Sequence, residues 1–333
     1  MIQIDDDKIF QIIERNKPIS VALNGPEPLL PKIQKVSETI EKKYNITSYI
    51  IGERSWGSCD LNTQAAEMLN VDILFNIGHT IALEKFGDKI FMINAFDDIS
   101  FDKVAIKCAD ALKFKFKNIS LVTDSQHIPQ ISKVKKIFEK NGFSVMIGKG
   151  KGQLTDAQVF GCEFYPVHNI ANEIEAFIFL GQSRFHSIGV ALSTEKPTYM
   201  LDPYFEEFTL INEEAEMIKK KSILSIYKSL DAKKIGIIIG LKEGQFAKIK
   251  ALEIRKEINK LGIETQLIAF NEISDEKLQN LKEIDAFIQV ACPRLGTDNH
   301  FSKPVLSTPQ SMALIKLLKK EPIEEYFKVQ HWL

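Results

Sequence analysis

Four short apolar runs recur three times along the chain in the same order, and this repeat constrains the fold more than any other feature of the sequence. In each repeat a β-branched run bounded by turn or cap residues precedes a Lys/Glu-rich stretch with helical spacing, such as residues 33–42. The pattern predicts a buried strand followed by an amphipathic helix. The first runs are residues 18–25, 118–125 and 234–241, the second 46–51, 143–147 and 264–270, the third 72–78, 175–181 and 285–291, and the fourth 89–96, 197–202 and 304–307.

The third run of each repeat opens with an acid, Asp72, Glu175 or Asp285, which lies 54, 57 or 51 residues after the start of the first run. Such similar spacing indicates a unit of about a hundred residues that is present three times. Because strands alternate with helices, each unit should form a small parallel sheet through right-handed crossovers. The alternative is one doubly wound α/β domain with an appendage. We expect an α/β protein of three similar domains in a pseudo-threefold arrangement, namely residues 1–110, 111–215 and 216–333.

Composition narrows the class of protein. The chain has 333 residues, of which 44% are hydrophobic and 26% charged, and these values are typical of a globular protein of more than one domain. Its 43 Lys and Arg nearly balance its 44 Asp and Glu, so it lacks the basic footprint of a nucleic-acid-binding protein. No apolar run approaches the length of a membrane span, and the first residues do not resemble a signal peptide. We expect a cytoplasmic protein without nucleic-acid or membrane partners.

The chain contains only four cysteines, Cys59, Cys108, Cys162 and Cys292, which are too few and too widely spaced for a secreted disulfide framework. Cys59 and Cys162 follow the second strands of their units, 41 and 44 residues from the unit start, and Cys292 ends the third strand of its unit. Loops after parallel strands share the carboxyl edge of the sheet, where α/β proteins bind ligands. One cysteine from each unit could therefore meet at a common point. Cys108 lies in a predicted helix and has no counterpart.

Three converging thiolates would suit a [4Fe–4S] cluster with one open iron, or a zinc ion with one open position. Ligation by sulfur alone, without a nearby histidine motif, favours the cluster. No local pair of cysteines is present, however, so three buried apolar cysteines remain the alternative.

Several polar residues are predicted to share the carboxyl edge with the cysteines. His79, His186 and His300 follow the third strands of the three units, and Arg294 lies two residues after Cys292. A guanidinium at this position could hold an anionic group such as a substrate carboxylate. The alternatives are solvated histidines and a salt bridge from Arg294 to a neighbouring acid.

Four motifs in combination resemble a known family. They are Trp-Gly-Ser-Cys-Asp at 56–60, Asp-Ile-Leu-Phe-Asn-Ile-Gly-His at 72–79, Gly-Gln-Ser-Arg-Phe-His-Ser-Ile-Gly at 181–189 and Ala-Cys-Pro-Arg-Leu at 291–295. Over residues 18–320 the chain is similar to archaeal diphthamide synthase, the 3-amino-3-carboxypropyl transferase of the first diphthamide step. The segment 197–203 also fits this family.

The resemblance implies a homodimer in which Cys59, Cys162 and Cys292 bind one [4Fe–4S] cluster. The open iron would bind S-adenosylmethionine, and an electron from a donor of unknown identity would reach it through the cluster. In this family the bond from sulfur to the γ-carbon breaks, and the 3-amino-3-carboxypropyl radical adds to a histidine of translation elongation factor 2. Methylthioadenosine is the by-product. The absence of a CxxxC motif is consistent with this departure from the usual radical enzymes.

The resemblance also implies roles for residues around the cluster. Arg294 and His79 would position the methionine carboxylate and amino group or line the pocket, and Asp60 and His186 would surround them. A rival interpretation is a quinolinate-synthase-like enzyme, which would condense and dehydrate small carboxylates with a similar cluster. A third is a metal-stabilised scaffold that only binds a partner.

Overall fold

The chain folds into three α/β units, each built around a parallel sheet. The computed structural model describes residues 2–78, 81–82, 85–298, 300–323 and 325–332. The first unit contains β1 (Ile2–Ile4), α1 (Asp6–Asn16), β2 (Ser20–Asn24), α2 (Leu30–Tyr44), β3 (Thr47–Ile50), α3 (Thr63–Met68), β4 (Ile73–Ile77), β5 (Lys85–Phe86), β6 (Ile90–Ile93) and β7 (Ala95–Asp97).

The second unit contains α4 (Asp102–Leu112), β8 (Asn118–Thr123), α5 (Ile131–Lys140), β9 (Ser144–Met146), α6 (Tyr165–His168), β10 (Ala176–Leu180), α7 (Arg184–Thr194), β11 (Thr198–Asp202) and β12 (Glu207–Leu210). The third contains α8 (Asn212–Lys228), β13 (Lys234–Gly240), α9 (Lys248–Lys260), β14 (Glu264–Phe270), α10 (Asp275–Gln279), β15 (Ala286–Gln289), α11 (Pro293–Asp298), β16 (Val305–Leu306) and α12 (Thr308–Leu318). A short 3-10 helix follows the first strand of each sheet, at Glu27–Leu29, Ser125–Gln130 and Glu243–Gln245. Of the described helices, none has the length and apolar character needed to cross a membrane.

The three sheets share one strand order. Their parallel parts run β3-β2-β4-β6, β9-β8-β10-β11 and β14-β13-β15-β16, so the second strand of each unit always lies at an edge. The short strands β5 and β12 add antiparallel edges to the first two sheets, and β1 pairs with β7 in a separate ribbon. Each predicted apolar run contains one of the parallel strands. The prediction of three similar units, each a small parallel sheet flanked by helices, is confirmed.

The acid that opens the third run ties two strands together in every unit. One carboxylate oxygen accepts hydrogen bonds from two successive backbone N–H groups at the start of the first strand. The donors are Ile19 (2.7 Å) and Ser20 (3.0 Å) to Asp72, Lys117 (2.6 Å) and Asn118 (2.8 Å) to Glu175, and Lys233 (2.8 Å) and Lys234 (3.0 Å) to Asp285. These bonds hold the pKa of each carboxyl below its ordinary value. The sequence repeat is therefore also a repeat of hydrogen bonds.

Helix α4 packs on the second sheet. Val104, Cys108 and Leu112 join Leu121 in one buried core. Cys108 is fully buried, and burial raises the pKa of its thiol to about 12, so it behaves as a core side chain. The domain boundaries near 110 and 215 stay predictions, and the packing of α4 would place the first break before Phe101.

The end of the described chain also lies against the second unit. Phe327 and Trp332 are buried in the same core as Phe164, with the ring centroids of Phe164 and Trp332 4.9 Å apart. The Phe164 N–H donates to the carbonyl of Gln330 at 2.9 Å. The chain therefore returns from the third unit to the second.

Candidate metal centre at the meeting point of three cysteine loops

Three cysteines lie in loops that leave the carboxyl ends of the three sheets. Cys59 lies between β3 and α3, Cys162 between β9 and α6, and Cys292 between β15 and α11. All three are partly buried, and none of them forms a disulfide bond. Cys59 and Cys292 both lie near enough to Cys162 to raise the pKa of its thiol. The structure thus brings together the three cysteines singled out from the sequence.

The surroundings of Cys59 and Cys162 oppose the ionisation of their thiols. Burial is the main cause that raises the pKa of Cys162 well above its ordinary value, and the negative charges of Glu163, Cys292 and Cys59 add to it. Burial likewise raises the pKa of Cys59, against the opposing effect of a hydrogen bond from Gln245. Three thiolates can share this space only if a positive group lies between them, and bound metal supplies such a charge.

The donor set fits an iron–sulfur cluster. Within the described ranges, no three His, Cys, Asp or Glu side chains surround one point as the ligands of a single metal ion would. In a [4Fe–4S] cluster each cysteine binds a different iron, so the sulfurs lie farther apart than the ligands of one ion. Three cysteines are the donors that such a cluster needs when one iron stays open.

The loop that carries Cys59 is clamped by residues 242–245, which follow β13 in the third unit. The Gly244 N–H donates to the Cys59 carbonyl at 3.0 Å. The side-chain amide of Gln245 donates to the Cys59 sulfur, with a distance of 3.4 Å between Nε2 and Sγ. A cysteine of the first unit is therefore held by backbone and side chain of the third.

The same clamp continues along the residues after Cys59. Lys242 forms an ion pair with Asp60, and the two side chains are only 12% and 4% exposed. Glu243 accepts hydrogen bonds from the N–H groups of Leu61 (3.2 Å) and Thr63 (2.8 Å) and from the Thr63 hydroxyl (2.5 Å). Burial raises the pKa of Asp60, whereas Lys242 opposes this shift. Removal of Lys242 would leave a buried carboxylate without its cation.

Contacts from two other segments hold the loop that carries Cys162. The Trp332 N–H donates to the Cys162 carbonyl at 2.9 Å. Gly161 lies so close to the Phe185 ring that an added Cβ would collide with it. The guanidinium carbon of Arg294 lies 5.4 Å from the centroid of that ring. Phe185 therefore connects the loop of Cys162 to the helix that follows Cys292.

The loop that carries Cys292 is closed by Gln289, a fully buried residue at the end of β15. Its Oε1 accepts from the N–H groups of Ala291 (2.8 Å) and Cys292 (2.9 Å), and its Nε2 donates to the Cys292 carbonyl (2.7 Å). The sequence analysis missed Gln289. A polar side chain at the end of an otherwise apolar buried strand was the available signal.

The polar residues that were predicted to lie near the cysteines have different surroundings in the structure. Arg294 stacks on Phe185 beside two of the cysteine loops. His186 shares a hydrogen bond between its Nδ1 and the Ser183 hydroxyl at 2.5 Å, at the start of α7. His300 is exposed. His79 lies outside the described residues.

The fold and the site define a protein of three similar α/β units that gathers one cysteine from each unit at a common centre. Residues 25–327 match the model of the diphthamide synthesis protein family. The chain is 30% identical over 322 residues, 96% of this chain and 92% of the relative, to 2-(3-amino-3-carboxypropyl)histidine synthase from Pyrococcus horikoshii. It is 28% identical over 315 residues, 91% of this chain and 73% of the relative, to subunit 1 of the synthase from Debaryomyces hansenii.

A solved structure agrees with the sequence comparisons. The crystal structure of Dph2 from Pyrococcus horikoshii with a 4Fe-4S cluster matches this chain with a TM-score of 0.89 and a sequence identity of 29%. The match covers 100% of this chain and 95% of the Dph2 chain. The chain belongs to the diphthamide synthesis protein family, as the four motifs predicted.

Proposed function

We propose that the protein is a 2-(3-amino-3-carboxypropyl)histidine synthase that uses a [4Fe–4S] cluster. It transfers the 3-amino-3-carboxypropyl group of S-adenosylmethionine to a histidine of translation elongation factor 2. The transfer leaves methylthioadenosine and releases one proton from the imidazole carbon. The observation that supports this most directly is the meeting of Cys59, Cys162 and Cys292, in a family with a member that contains a 4Fe-4S cluster.

Each residue of the site has a distinct role in this proposal. The three cysteines hold the cluster, which when bound supplies an open iron for the co-substrate and the electron that starts its cleavage. Arg294 binds the methionine carboxylate, because a guanidinium pairs well with a carboxylate and Phe185 fixes its position beside the centre. His79 and His186 are the further substrate-binding residues of this proposal. The partly buried position of the cysteines limits access of water to the reacting groups.

The same proposal includes the partners of the enzyme. Elongation factor 2 is the protein substrate, the enzyme acts as a cytoplasmic homodimer, and an external one-electron donor reduces the cluster. No nucleic-acid partner is required.

The test is anaerobic purification and cluster reconstitution, then reaction with dithionite, S-adenosylmethionine and elongation factor 2. We expect methylthioadenosine rather than 5′-deoxyadenosine, and a mass gain of one 3-amino-3-carboxypropyl group on elongation factor 2. A cluster-containing protein that gives neither nucleoside would refute the transferase and favour a quinolinate-synthase-like reaction. A colourless protein without iron would refute every cluster-based function.

The ligand assignment is tested by single substitutions. Replacement of Cys59, Cys162 or Cys292 by Ala should lower both iron content and product formation, because each removes one of three ligands. Cys108→Ala is the matched control, since Cys108 lies in the core of the second unit, and it should retain its iron. Full iron loading in Cys292→Ala would show that the assignment is wrong.

A further inference from the structure

We infer that Gln245 is a positioning residue that sets the reduction potential of the cluster through Cys59. Its side-chain amide donates a hydrogen bond from the third unit to a sulfur of the first unit. This inference rests on the proposed function, because it takes Cys59 to be a cluster ligand.

The amide donor is held in place from several sides. Residues 242, 243 and 244 each bond to the loop at 59–63, so the 3-10 helix Glu243–Gln245 is fixed against that loop. The distance of 3.4 Å from Nε2 to Sγ is within the range of an N–H···S hydrogen bond. Gln245 is half-buried. Its amide therefore meets the sulfur without a large loss of side-chain entropy on binding of the cluster.

Gln245 also lies next to the turn that carries Cys292. Gly240, the last residue of β13, separates the two: an added Cβ there would lie 3.0 Å from the Cβ of Gln245 and 2.8 Å from that of Ala291. Ala291 directly precedes Cys292. Gln245 is thus close to the turn of Cys292 as well as bonded to the loop of Cys59.

The direction of the effect follows from electrostatics. A hydrogen bond to a ligand sulfur stabilises the form of the cluster that carries more negative charge, which is the reduced form. The amide of Gln245 is neutral, so it supplies this stabilisation without a compensating charge. Loss of the donor should make the cluster harder to reduce. Glu243 lies in the same 3-10 helix and holds the Cys59 loop, but it donates no hydrogen bond to the sulfur. A variant at 243 therefore separates the role of the helix in holding the loop from the effect of the amide donor on the reduction potential.

The test compares reconstituted wild-type protein with Gln245→Leu, Gln245→Glu and the control Glu243→Gln. Iron and sulfide are counted per chain, and the midpoint potential is measured by redox titration monitored by electron paramagnetic resonance. We expect Gln245→Leu to load as much iron as the wild type but to have a more negative potential. Gln245→Glu should make the midpoint potential still more negative, because a carboxylate replaces the amide donor. Glu243→Gln should lower loading, and because it removes a negative charge, any shift in the potential of the clusters that form should be positive, opposite in sign to that of the Gln245 variants.

The outcomes distinguish this inference from the proposed function. Equal potentials in the wild type and both fully loaded Gln245 variants would overturn the inference and leave the function intact. Loss of iron from both Gln245 variants, with the fold retained, would also overturn it and assign a structural role to the residue. Absence of a cluster from the wild type would refute the proposed function instead.

Discussion

Glycine occupies two positions where a cysteine loop closely approaches another part of the chain. A Cβ on Gly244 would lie 2.6 Å from the Cβ of Cys59, and a Cβ on Gly161 would enter the space of the Phe185 ring. Neither glycine needs a left-handed backbone, so the requirement is for space alone. The close packing of the cysteine loops therefore requires residues without a side chain at these two positions.

Gly244→Ala tests this requirement. The new methyl group must push the Cys59 loop away from the third unit, which should destabilise the protein by about 1–3 kcal/mol, the usual cost of overpacking. Iron loading should fall as well, because Cys59 moves. Gly52→Ala is the matched control in the same loop, where an added Cβ meets nothing within 4 Å. Denaturant unfolding and iron analysis measure both effects, and equal results for the two variants would contradict the argument.

At the scale of elements, the parallel strands could be predicted because their signal is local. The β-branched runs and the acids before the third strands are adjacent in sequence, and each run contains a strand. The edge strands β5 and β12 were not predicted, since they are short and lack a distinctive apolar pattern. The clamp at 242–245 was also missed. Its residues read as a polar surface loop, and their partners at 59–63 lie about 180 residues away, for which a single sequence gives no local signal.

Asp285→Asn tests the link between first and third strands. The amide keeps an acceptor but loses the charge that strengthens two backbone hydrogen bonds, so we expect a loss of about 0.5–1 kcal/mol at this exposed site. The folded pKa of Asp285 lies below its ordinary value of 3.8. This stabilisation is therefore present above pH 3.8 and is lost as the pH falls through the folded pKa.

The measurement for Asp285→Asn is urea unfolding of wild type and variant at neutral pH and at about pH 3, where their difference should shrink. Glu283→Gln is the control, since Glu283 is 88% exposed and forms its ion pair with the side chain of Lys234. A difference between wild type and Asp285→Asn that stays constant with pH would rule out the charged link.

At the scale of the whole molecule, two of the three cysteine loops are held by segments remote in sequence. The clamp at 242–245 holds the loop of Cys59, and the last described residues hold that of Cys162. The loop of Cys292 is closed by a near neighbour, Gln289. The convergence of the cysteines could be predicted from the strand pattern, because parallel sheets share a carboxyl edge. The contacts that fix it could not, because they depend on how the units pack on one another.

Trp332→Ala tests whether the return of the chain to the second unit supports the centre. The indole is 1% exposed, packs on Phe164 and Phe327, and donates its ring N–H to the Phe327 carbonyl at 3.0 Å. Truncation of a buried aromatic side chain typically costs about 3–5 kcal/mol. Because the Trp332 backbone bonds to the Cys162 carbonyl, the loosened segment should also release the loop of Cys162.

We therefore expect Trp332→Ala to lower both the melting temperature and the iron bound per chain. Trp56→Ala provides the control, since Trp56 lies in the Cys59 loop but is 60% exposed, and its removal should leave the melting temperature nearly unchanged. Thermal unfolding and iron analysis of the reconstituted proteins measure both quantities. A Trp332→Ala protein that is less stable but binds its full complement of iron would show that the segment supports the second core and not the cysteine loop. Parallel losses would show that stability and assembly of the centre depend on the same contact.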